Sequence, residues 1–259
     1  MYSMDDLRPQ NALKGYTDIA LDYRSRIEDK VYFSVCKRKS LQLYSYSETF
    51  DLGLEDELEI SPLILCQFGS KICFADSSHY FLYDINTKKL IQLFPYKLEH
   101  GKPCIKLIDE KQFLLVLSSD GSTWLGAFIS LQGEAQRGMI TWKSCPLALA
   151  FQSPYIVSLQ RDCIQIHSVL DQIEHQIIPL PMDNPNFLEE AEEGKVLISC
   201  GNIFFVLIPN PIEEQVLDCL YSRWNLCYEK NKLKKQYAWQ NLLSLKQGAN
   251  RLLIMYGIF

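Results

Sequence analysis

The chain has 259 residues, of which 47% are hydrophobic and 12% aromatic, and this is enough apolar material for a sizeable core. Its formal net charge of −5 argues against a protein that binds nucleic acid, since such proteins carry an excess of positive charge. No apolar run approaches the roughly 18 residues that cross a membrane as a helix, so we expect any membrane contact to be peripheral.

The nine cysteines bear on the cellular compartment. Their number is odd, no Cys-x-x-Cys pair occurs, and several lie inside or beside apolar runs, as small hydrophobic residues do. The sequence also contains no Asn-x-Ser/Thr glycosylation site and no apolar segment behind its polar start. These features predict a reducing, cytoplasmic environment rather than a disulfide or metal framework.

Residues 1–29 are polar and charged, and we interpret them as a loose lead-in with one edge strand at Asp18–Tyr23. The apolar runs Lys30–Cys36 and Leu41–Tyr46 then predict a hairpin. The basic turn between them is typical of a solvated strand tip that resists aggregation, and we favour this role over a ligand site.

A repeated unit occupies most of the remaining chain. Its clearest copy, Cys145 to Leu170, predicts three short strands at 147–151, 155–159 and 163–167. Successive copies begin about 40 residues apart, and each opens near a proline: Pro62, Pro103, Pro146 and Pro185. This period, with about four short strands per unit, is typical of a β-propeller blade. We therefore predict a mainly β chain in which residues 30–209 form a partial β-propeller of about four to five blades.

The pattern changes at residue 209, which we take as the domain boundary. Asn210 fits a helix N-cap, Pro211 fits the first helical position, and Glu213 stands three residues after the cap. Apolar residues then recur at helical spacing, and a second helix is predicted over 228–247. We predict that residues 210–259 form a short α-helical segment, the start of a solenoid.

Cys163, His167 and Asp171 are the residues that most invite a catalytic interpretation. We favour a structural role for them, because the first two fit the pattern of one strand and the third falls in the following turn. The sequence contains no Gly-x-Ser-x-Gly elbow, no His-x-x-x-His pair and no phosphate-binding glycine loop, and its four histidines are scattered. We therefore predict a protein that is not an enzyme, with no catalytic, metal-binding or cofactor-binding residue. A propeller hydrolase is the least favoured alternative.

Aromatic residues cluster in two places. In the run YFLYD, alternation places Tyr80 and Leu82 on one face of a strand and Phe81 and Tyr83 on the other, so we assign them to the blade core. Phe94-Pro95-Tyr96 stands at a strand end that leads into a loop. We predict that these three residues are exposed and contact a protein partner.

Several motifs, taken together, resemble the citron-homology domain family. The most specific occur in the family's order and spacing, and they are LFPY at Leu93–Tyr96, PYIV at Pro154–Val157, HSVLDQ at His167–Gln172 and PNPIEEQVL at Pro209–Leu217. The resemblance covers about residues 30 to 225. The family members that the chain resembles are subunits of the endosomal tethering complex CORVET and associate with transforming growth factor-β (TGF-β) receptors.

The resemblance implies a non-enzymatic protein-interaction module in endosomal vesicle tethering and trafficking. Its implied partners are other tethering-complex subunits, a Rab-type small GTPase, and TGF-β receptors or Smad proteins. It also implies a cytoplasmic protein that is peripheral on early endosomes and reaches the membrane through its partners. The alternative is a regulatory citron-homology module that binds small GTPases in kinase or Rho signalling.

The chain departs from this family in its extent. The residues before the boundary allow about five blades, where citron-homology propellers are expected to have about seven. We therefore expect a piece or truncated product of a longer family member. A partial propeller of this kind leaves blade edges unpaired, which favours aggregation.

Overall fold

The structure is a computed structural model, and it describes residues 15–27, 30–47, 52–118, 120–180, 185–191, 194–201, 203–208 and 253–257. Within these ranges the chain forms five antiparallel sheets of four strands each. In every sheet the strand order follows the chain order. This is the arrangement of a five-bladed β-propeller, which the repeat in the sequence predicts.

The twenty strands have the following bounds. The first sheet contains β1 (Tyr16–Ile27), β2 (Lys30–Lys37), β3 (Leu41–Ser47) and β4 (Leu52–Leu58). The second contains β5 (Ile64–Phe68), β6 (Lys71–Ala75), β7 (His79–Asp84) and β8 (Lys89–Pro95). The third contains β9 (Ile105–Ile108), β10 (Gln112–Leu117), β11 (Trp124–Ser130) and β12 (Ala135–Trp142). The fourth contains β13 (Ala148–Gln152), β14 (Tyr155–Leu159), β15 (Cys163–Ser168) and β16 (Glu174–Pro179). The fifth contains β17 (Pro185–Glu190), β18 (Val196–Cys200), β19 (Ile203–Ile208) and β20 (Leu253–Gly257).

The predicted unit boundaries coincide with the sheets. Pro62, Pro103 and Pro146 each stand two residues before the first strand of a sheet, and Pro185 begins β17. Proline suits these entry positions because it has no backbone N–H to donate to a strand ladder. The period of about 40 residues in the sequence is therefore the length of one blade with its connection.

The first strands of the five sheets surround a common axis. Residues of β1, β5, β9, β13 and β17 line one central cavity. Because each sheet keeps its strands in chain order, the fourth strands lie farthest from this axis. The inter-blade connections therefore return the chain from the rim to the centre.

Apolar side chains fill the spaces between neighbouring sheets. Tyr80 and Leu82 pack with the third sheet, whereas Phe81 and Tyr83 pack with the first, which confirms the predicted alternation along β7. The ring of Trp142 is part of the cluster between the third and fourth sheets. Burial of a large apolar side chain stabilises a fold by about 1.5–3 kcal/mol, so these clusters hold the sheets together.

The first sheet begins earlier than the sequence predicts. Its strand β1 lies within the predicted lead-in of residues 1–29 and pairs antiparallel with β2. Charged residues at alternating positions of this strand, including Asp22, Arg24 and Arg26, obscure the apolar pattern that identifies the other strands. β1 therefore contains the predicted edge strand Asp18–Tyr23 and makes it part of the first sheet, which starts at Tyr16.

The far face of the first sheet is buried in part. Alternation along β2 turns Cys36 towards the second sheet and turns Phe33 and Val35 away from it. Phe33 and Val35 are nevertheless buried, and the ring of Phe33 stacks on that of Tyr44 with centroids 5.5 Å apart. The middle of this face is therefore buried, whereas Ile19, Leu21 and Leu54, which pair with these residues across the strands, are 41%, 52% and 53% exposed.

The outer strand of the fifth sheet comes from the segment predicted as helical. Leu253–Gly257 forms β20 and pairs antiparallel with β19, so these five residues are strand rather than helix. Their sequence LIMYG is apolar without a helical period, which suits a strand that covers a neighbouring ladder. Residues 209–252, which contain both predicted helices, lie outside the described residues. Among the residues that the structure does describe, no helix has the length and apolar character to cross a membrane.

Candidate protein-binding site

The central channel has a different cavity at each end. The first strands run in the same direction along the axis, so their amino ends line one opening and their carboxyl ends line the other. We call the cavity of about 640 Å³ at the amino ends the leucine pocket; its lining includes Asp18, Leu63, Leu98, Lys102, Pro103, Leu147 and Leu149. We call the cavity of about 660 Å³ at the carboxyl ends the polar pocket; its lining includes Leu21, Gln67, Lys106, Leu107, Phe151 and Glu190.

In the polar pocket, neighbouring polar groups bind one another. The Lys106 ammonium lies 2.7 Å from Glu190 Oε1, and the same oxygen accepts a hydrogen bond from the backbone N–H of Phe151. These residues come from β9, β17 and β13, so one carboxylate connects three sheets. Gln67 accepts a hydrogen bond of 2.5 Å from the Ser34 hydroxyl, which connects the first and second sheets. We infer that these groups stabilise the propeller at this end.

In the leucine pocket, three large apolar side chains are accessible. Leu63, Leu98 and Leu147 expose 46%, 45% and 50% of their surfaces, and all three line the same cavity. They lie in the connections that enter the second, third and fourth sheets. Apolar side chains that converge on a concave surface are typical of ligand and partner sites, whereas single exposed leucines are common everywhere.

Tyr96 and Gly101 hold the connection that carries Leu98. The Tyr96 hydroxyl donates a hydrogen bond to the backbone carbonyl of Asp76, and the Tyr96 N–H donates to the Ser78 carbonyl at 2.8 Å. Gly101 packs so closely that an added Cβ would lie 2.6 Å from Cys145 Sγ. These contacts join the connection to the loop between β6 and β7 and to the segment that contains Cys145. They therefore fix the backbone on both sides of Leu98.

Two charged residues line the leucine pocket, and they differ in their surroundings. The Asp18 carboxylate accepts hydrogen bonds from the backbone N–H groups of Ile19 (2.9 Å) and Leu65 (3.1 Å). Burial raises the pKa of Asp18 above its ordinary value, against the opposing effect of these two bonds. Lys102 is exposed and has no ion-pair partner among the described residues. The pocket therefore carries one carboxylate held by the backbone and one exposed ammonium group without an ion-pair partner among the described residues.

The residues predicted to contact a partner lie at the start of this same connection. Pro95 is exposed, Phe94 is half-buried, and Tyr96 is buried with 8% of its surface exposed. The predicted exposure is therefore wrong for Tyr96, whose ring packs against Tyr80 with centroids 5.0 Å apart. Tyr96 positions the connection, and the contact of Phe94, Pro95 and Tyr96 with a partner stays a prediction.

The residues that suggested catalysis are not arranged as a catalytic group. His167 is 1% exposed, its Nδ1 has no hydrogen-bond partner, and its ring packs edge-on against Trp142 at 5.8 Å between centroids. Burial lowers the pKa of His167 to about 4. The Asp171 carboxylate accepts a bond from the Ile173 N–H and lies 3.5 Å from His175 Nε2 instead. Burial raises the pKa of the Cys163 thiol to about 11, which disfavours the reactive thiolate.

The seven cysteines that the structure describes are free thiols. Burial raises the pKa of the Cys66 thiol to about 11 and of the Cys104 thiol to about 12, as expected for cysteines used as small apolar residues. Across the described ranges, no group of three or more histidine, cysteine, aspartate or glutamate side chains is placed to hold a metal ion.

Sequence reasoning missed the leucines of the pocket. The prolines at 62 and 146 were recognisable as unit boundaries, and each is followed directly by a leucine, Leu63 or Leu147. An apolar residue directly after the entry proline in two repeats is a signal for a surface shared by neighbouring blades, although Leu147 was assigned to the predicted strand 147–151. Leu98 has no such signal, because it lies inside a longer connection that follows Pro95.

The fold is a β-propeller with an apolar opening at one end of its channel. The family model for the CNH domain, the citron-homology domain, matches residues 4–188, and the chain belongs to this family. The solved structure described as the AfRom2 CNH domain is similar to this chain with a TM-score of 0.52 and 16% sequence identity. That similarity covers 76% of this chain and 68% of the solved one, and it supports the five-sheet propeller arrangement.

Two relatives are similar to this chain along most of its length. Transforming growth factor-beta receptor-associated protein 1 of Homo sapiens is 28% identical to this chain over 228 residues, which is 86% of this chain and 26% of the relative. The Vam6/Vps39-like protein of Mus musculus is 23% identical over 200 residues, 76% of this chain and 22% of the relative. The chain thus spans about a quarter of the length of the relatives that it matches.

Proposed function

We propose that this chain is a non-enzymatic protein-interaction module in endosomal vesicle tethering and trafficking, of the kind found in CORVET-like complexes. The observation that carries this proposal is the similarity to the receptor-associated relative, which extends over 86% of the chain. The weaker similarity to a Vam6/Vps39-like protein supports the trafficking role from a second relative.

The geometry of the propeller is consistent with this role. The leucine pocket offers apolar side chains and a positive charge at an accessible opening, which suits recognition of another protein. The expected partners are tethering-complex subunits, a Rab-type small GTPase, and TGF-β receptors or Smad proteins. We place the chain in the cytoplasm, on early endosomes, held to the membrane through these partners.

Co-purification tests the proposal. The full chain of 259 residues, tagged and first shown by circular dichroism to melt cooperatively, is expressed in cultured cells and recovered with its bound proteins. We expect enrichment of endosomal tethering subunits over an unrelated tagged propeller. A folded chain that recovers none of them would contradict the proposal.

The same preparation distinguishes the proposed trafficking role from the alternative, a regulatory module in kinase or Rho signalling. Purified chain is incubated with Rab-type and Rho-type GTPases, each loaded with GTP or GDP. We expect any nucleotide-dependent binding to be to the Rab type. GTP-dependent binding to the Rho type alone would favour the alternative.

A further inference from the structure

We propose that the leucine pocket binds an extended peptide segment of a partner protein, which inserts leucine-like side chains and places a carboxylate beside Lys102. This inference rests on the proposed function, because it specifies the chemistry of one partner of that interaction module. It concerns the described surface alone and requires no catalytic step.

The first argument is the distribution of apolar surface. Leu63, Leu98 and Leu147 come from three different connections, yet they face one cavity and each leaves about half of its surface exposed. Pro103 and Leu149, which are both buried, add apolar lining to the same cavity. A leucine-like side chain that enters this cavity contacts apolar groups on three sides, which maximises the apolar area removed from water.

The second argument is size. A cavity of about 640 Å³ lies within the range of roughly 300–1,000 Å³ that is usual for sites of small ligands. Such a volume admits a few side chains of a linear segment, whereas a folded domain needs a broader contact surface. An extended peptide is therefore the protein partner that this opening fits.

The third argument is charge. Asp18 already accepts two backbone hydrogen bonds, so its negative charge is stabilised within the propeller. Lys102 is left without a counter-ion in the part of the chain that the structure describes, whereas neighbouring Lys97 lies 3.8 Å from Glu99. The complementary group on a partner is a carboxylate, and an added lysine or arginine there is repelled.

The fourth argument is that the pocket is already ordered. The backbone N–H of Leu63 donates to the Ala75 carbonyl at 2.7 Å, and that of Leu147 donates to the Leu159 carbonyl at 2.8 Å. Tyr96 holds the connection that bears Leu98, as described above. Binding therefore orders the incoming peptide but not the pocket, which lowers the entropic cost of association.

Fluorescence anisotropy on the full chain tests the inference with three labelled peptides of defined sequence: Ser-Leu-Leu-Glu-Asp-Leu, its basic counterpart Ser-Leu-Leu-Lys-Lys-Leu, and Ser-Ala-Ala-Glu-Asp-Ala. We expect the first to bind at least about tenfold more tightly than the other two. Equal affinity for all three peptides, or no binding of the first, overturns the proposal.

Variants locate the binding. Leu147→Asp is expected to weaken binding of the acidic leucine peptide at least about tenfold, because it places a carboxylate in the apolar cavity. The matched control is Leu170→Asp, which changes a leucine 80% exposed in the turn between β15 and β16, and it leaves binding unchanged. Lys102→Glu reverses the preference in favour of the basic peptide. Unchanged binding by Leu147→Asp, or Leu147-dependent self-association without peptide binding, contradicts the inference.

The co-purification experiment separates this inference from the proposed function. If Leu147→Asp loses peptide binding and also loses a tethering subunit that the unmodified chain recovers, both are supported. If the variant still recovers every partner, the pocket inference fails and the proposed function stands. If the unmodified chain binds the peptide but recovers no tethering subunit, the pocket stands and the proposed function fails.

Discussion

The two ends of the central channel are built from the same strands but differ in chemistry. At the carboxyl ends, Lys106, Glu190 and the Phe151 N–H bind one another across three sheets. At the amino ends, three leucines stay half-exposed and Lys102 has no counter-ion among the described residues. Groups that satisfy each other stabilise a fold, whereas groups left unsatisfied at an ordered surface are available to a partner.

This difference indicates a division of labour along the axis. The polar pocket connects the sheets, and we infer that the exposed rim leucines of the leucine pocket contribute little to stability but form a docking surface. Changes at the two ends should therefore have opposite consequences: loss of stability with intact binding at one end, and loss of binding with intact stability at the other. The interfaces between sheets, which lie between the two openings, should set the overall stability.

The largest effect of pH on stability is expected at such an interface, through His167. Its folded-state pKa of about 4 lies below its ordinary value of 6.5, so the folded chain holds the ring neutral while the unfolded chain takes up a proton. Stability is therefore complete above about pH 6.5 and is lost as the pH falls from there towards 4. We expect the free energy of unfolding to fall by about 2 kcal/mol between about pH 7.5 and pH 5 from this group alone.

Urea denaturation of the unmodified chain and of His167→Asn at both pH values measures this effect. The asparagine variant does not titrate, so the difference in pH dependence between the two proteins isolates the histidine from the carboxylates. If the free energy of unfolding depended on pH in the same way in both proteins, the His167 ring would not be held neutral between the third and fourth sheets.

The next largest effect is expected in the polar pocket. Glu190→Ala removes the counter-ion of Lys106 and the acceptor of the Phe151 N–H, and both partners lie in a partly buried site. We expect the free energy of unfolding to fall by about 1.5 kcal/mol, with the affinity for the acidic leucine peptide unchanged. Glu134→Ala, an exposed glutamate in the turn before β12, is the matched control and should change stability little. A loss of peptide affinity in Glu190→Ala would contradict the claim that the polar pocket serves stability and the leucine pocket serves binding.

A smaller effect on stability is expected at Tyr96, which contributes to both folding and the position of Leu98. Tyr96→Phe keeps the buried ring and removes the hydrogen bond to the Asp76 carbonyl. We expect a loss of about 1 kcal/mol in unfolding free energy, together with weaker peptide binding because the connection that carries Leu98 is loosened. Tyr155→Phe is the control, since the Tyr155 hydroxyl has no hydrogen bond within the described part of the chain. Equal stability of the two variants in urea denaturation would contradict the positioning role of Tyr96.

The smallest effect on stability is expected at the rim of the leucine pocket. Leu147→Ser replaces a side chain that is 50% exposed, so we expect the free energy of unfolding to change by less than about 0.5 kcal/mol. Leu149→Ser, only two residues further along, changes a side chain that is 9% exposed and should cost about 3 kcal/mol. Thermal melts of the two variants compare them directly. A similar loss in both would show that the rim leucine belongs to the core.

The repeat and most strand positions could be predicted from the sequence, because each blade carries its own alternation and its own entry proline. β14 coincides with the predicted range Tyr155–Leu159. β1 was less recognisable, since charged residues interrupt the apolar alternation of its sequence. β20 could not be predicted, because its pairing with β19 joins segments that are far apart in the chain.

The candidate site was predictable only in part. The sequence indicated the strand end at Phe94-Pro95-Tyr96, which leads into the connection that bears Leu98. It did not reveal that Tyr96 turns inwards, because an aromatic residue at a strand end is compatible with burial or exposure. The convergence of Leu63, Leu98 and Leu147 depends on the circular arrangement of three sheets, which no local pattern encodes.

Methyl NMR with leucine-labelled full chain tests the central claim most directly. The acidic leucine peptide is added while the methyl signals of Leu63, Leu98 and Leu147 are followed, with Leu21 and Leu107 of the polar pocket as an internal reference. The account predicts saturable shifts at the three rim leucines and none at the two reference leucines. Shifts confined to Leu21 and Leu107, or no shifts at any of the five, would contradict the assignment of partner binding to the leucine pocket.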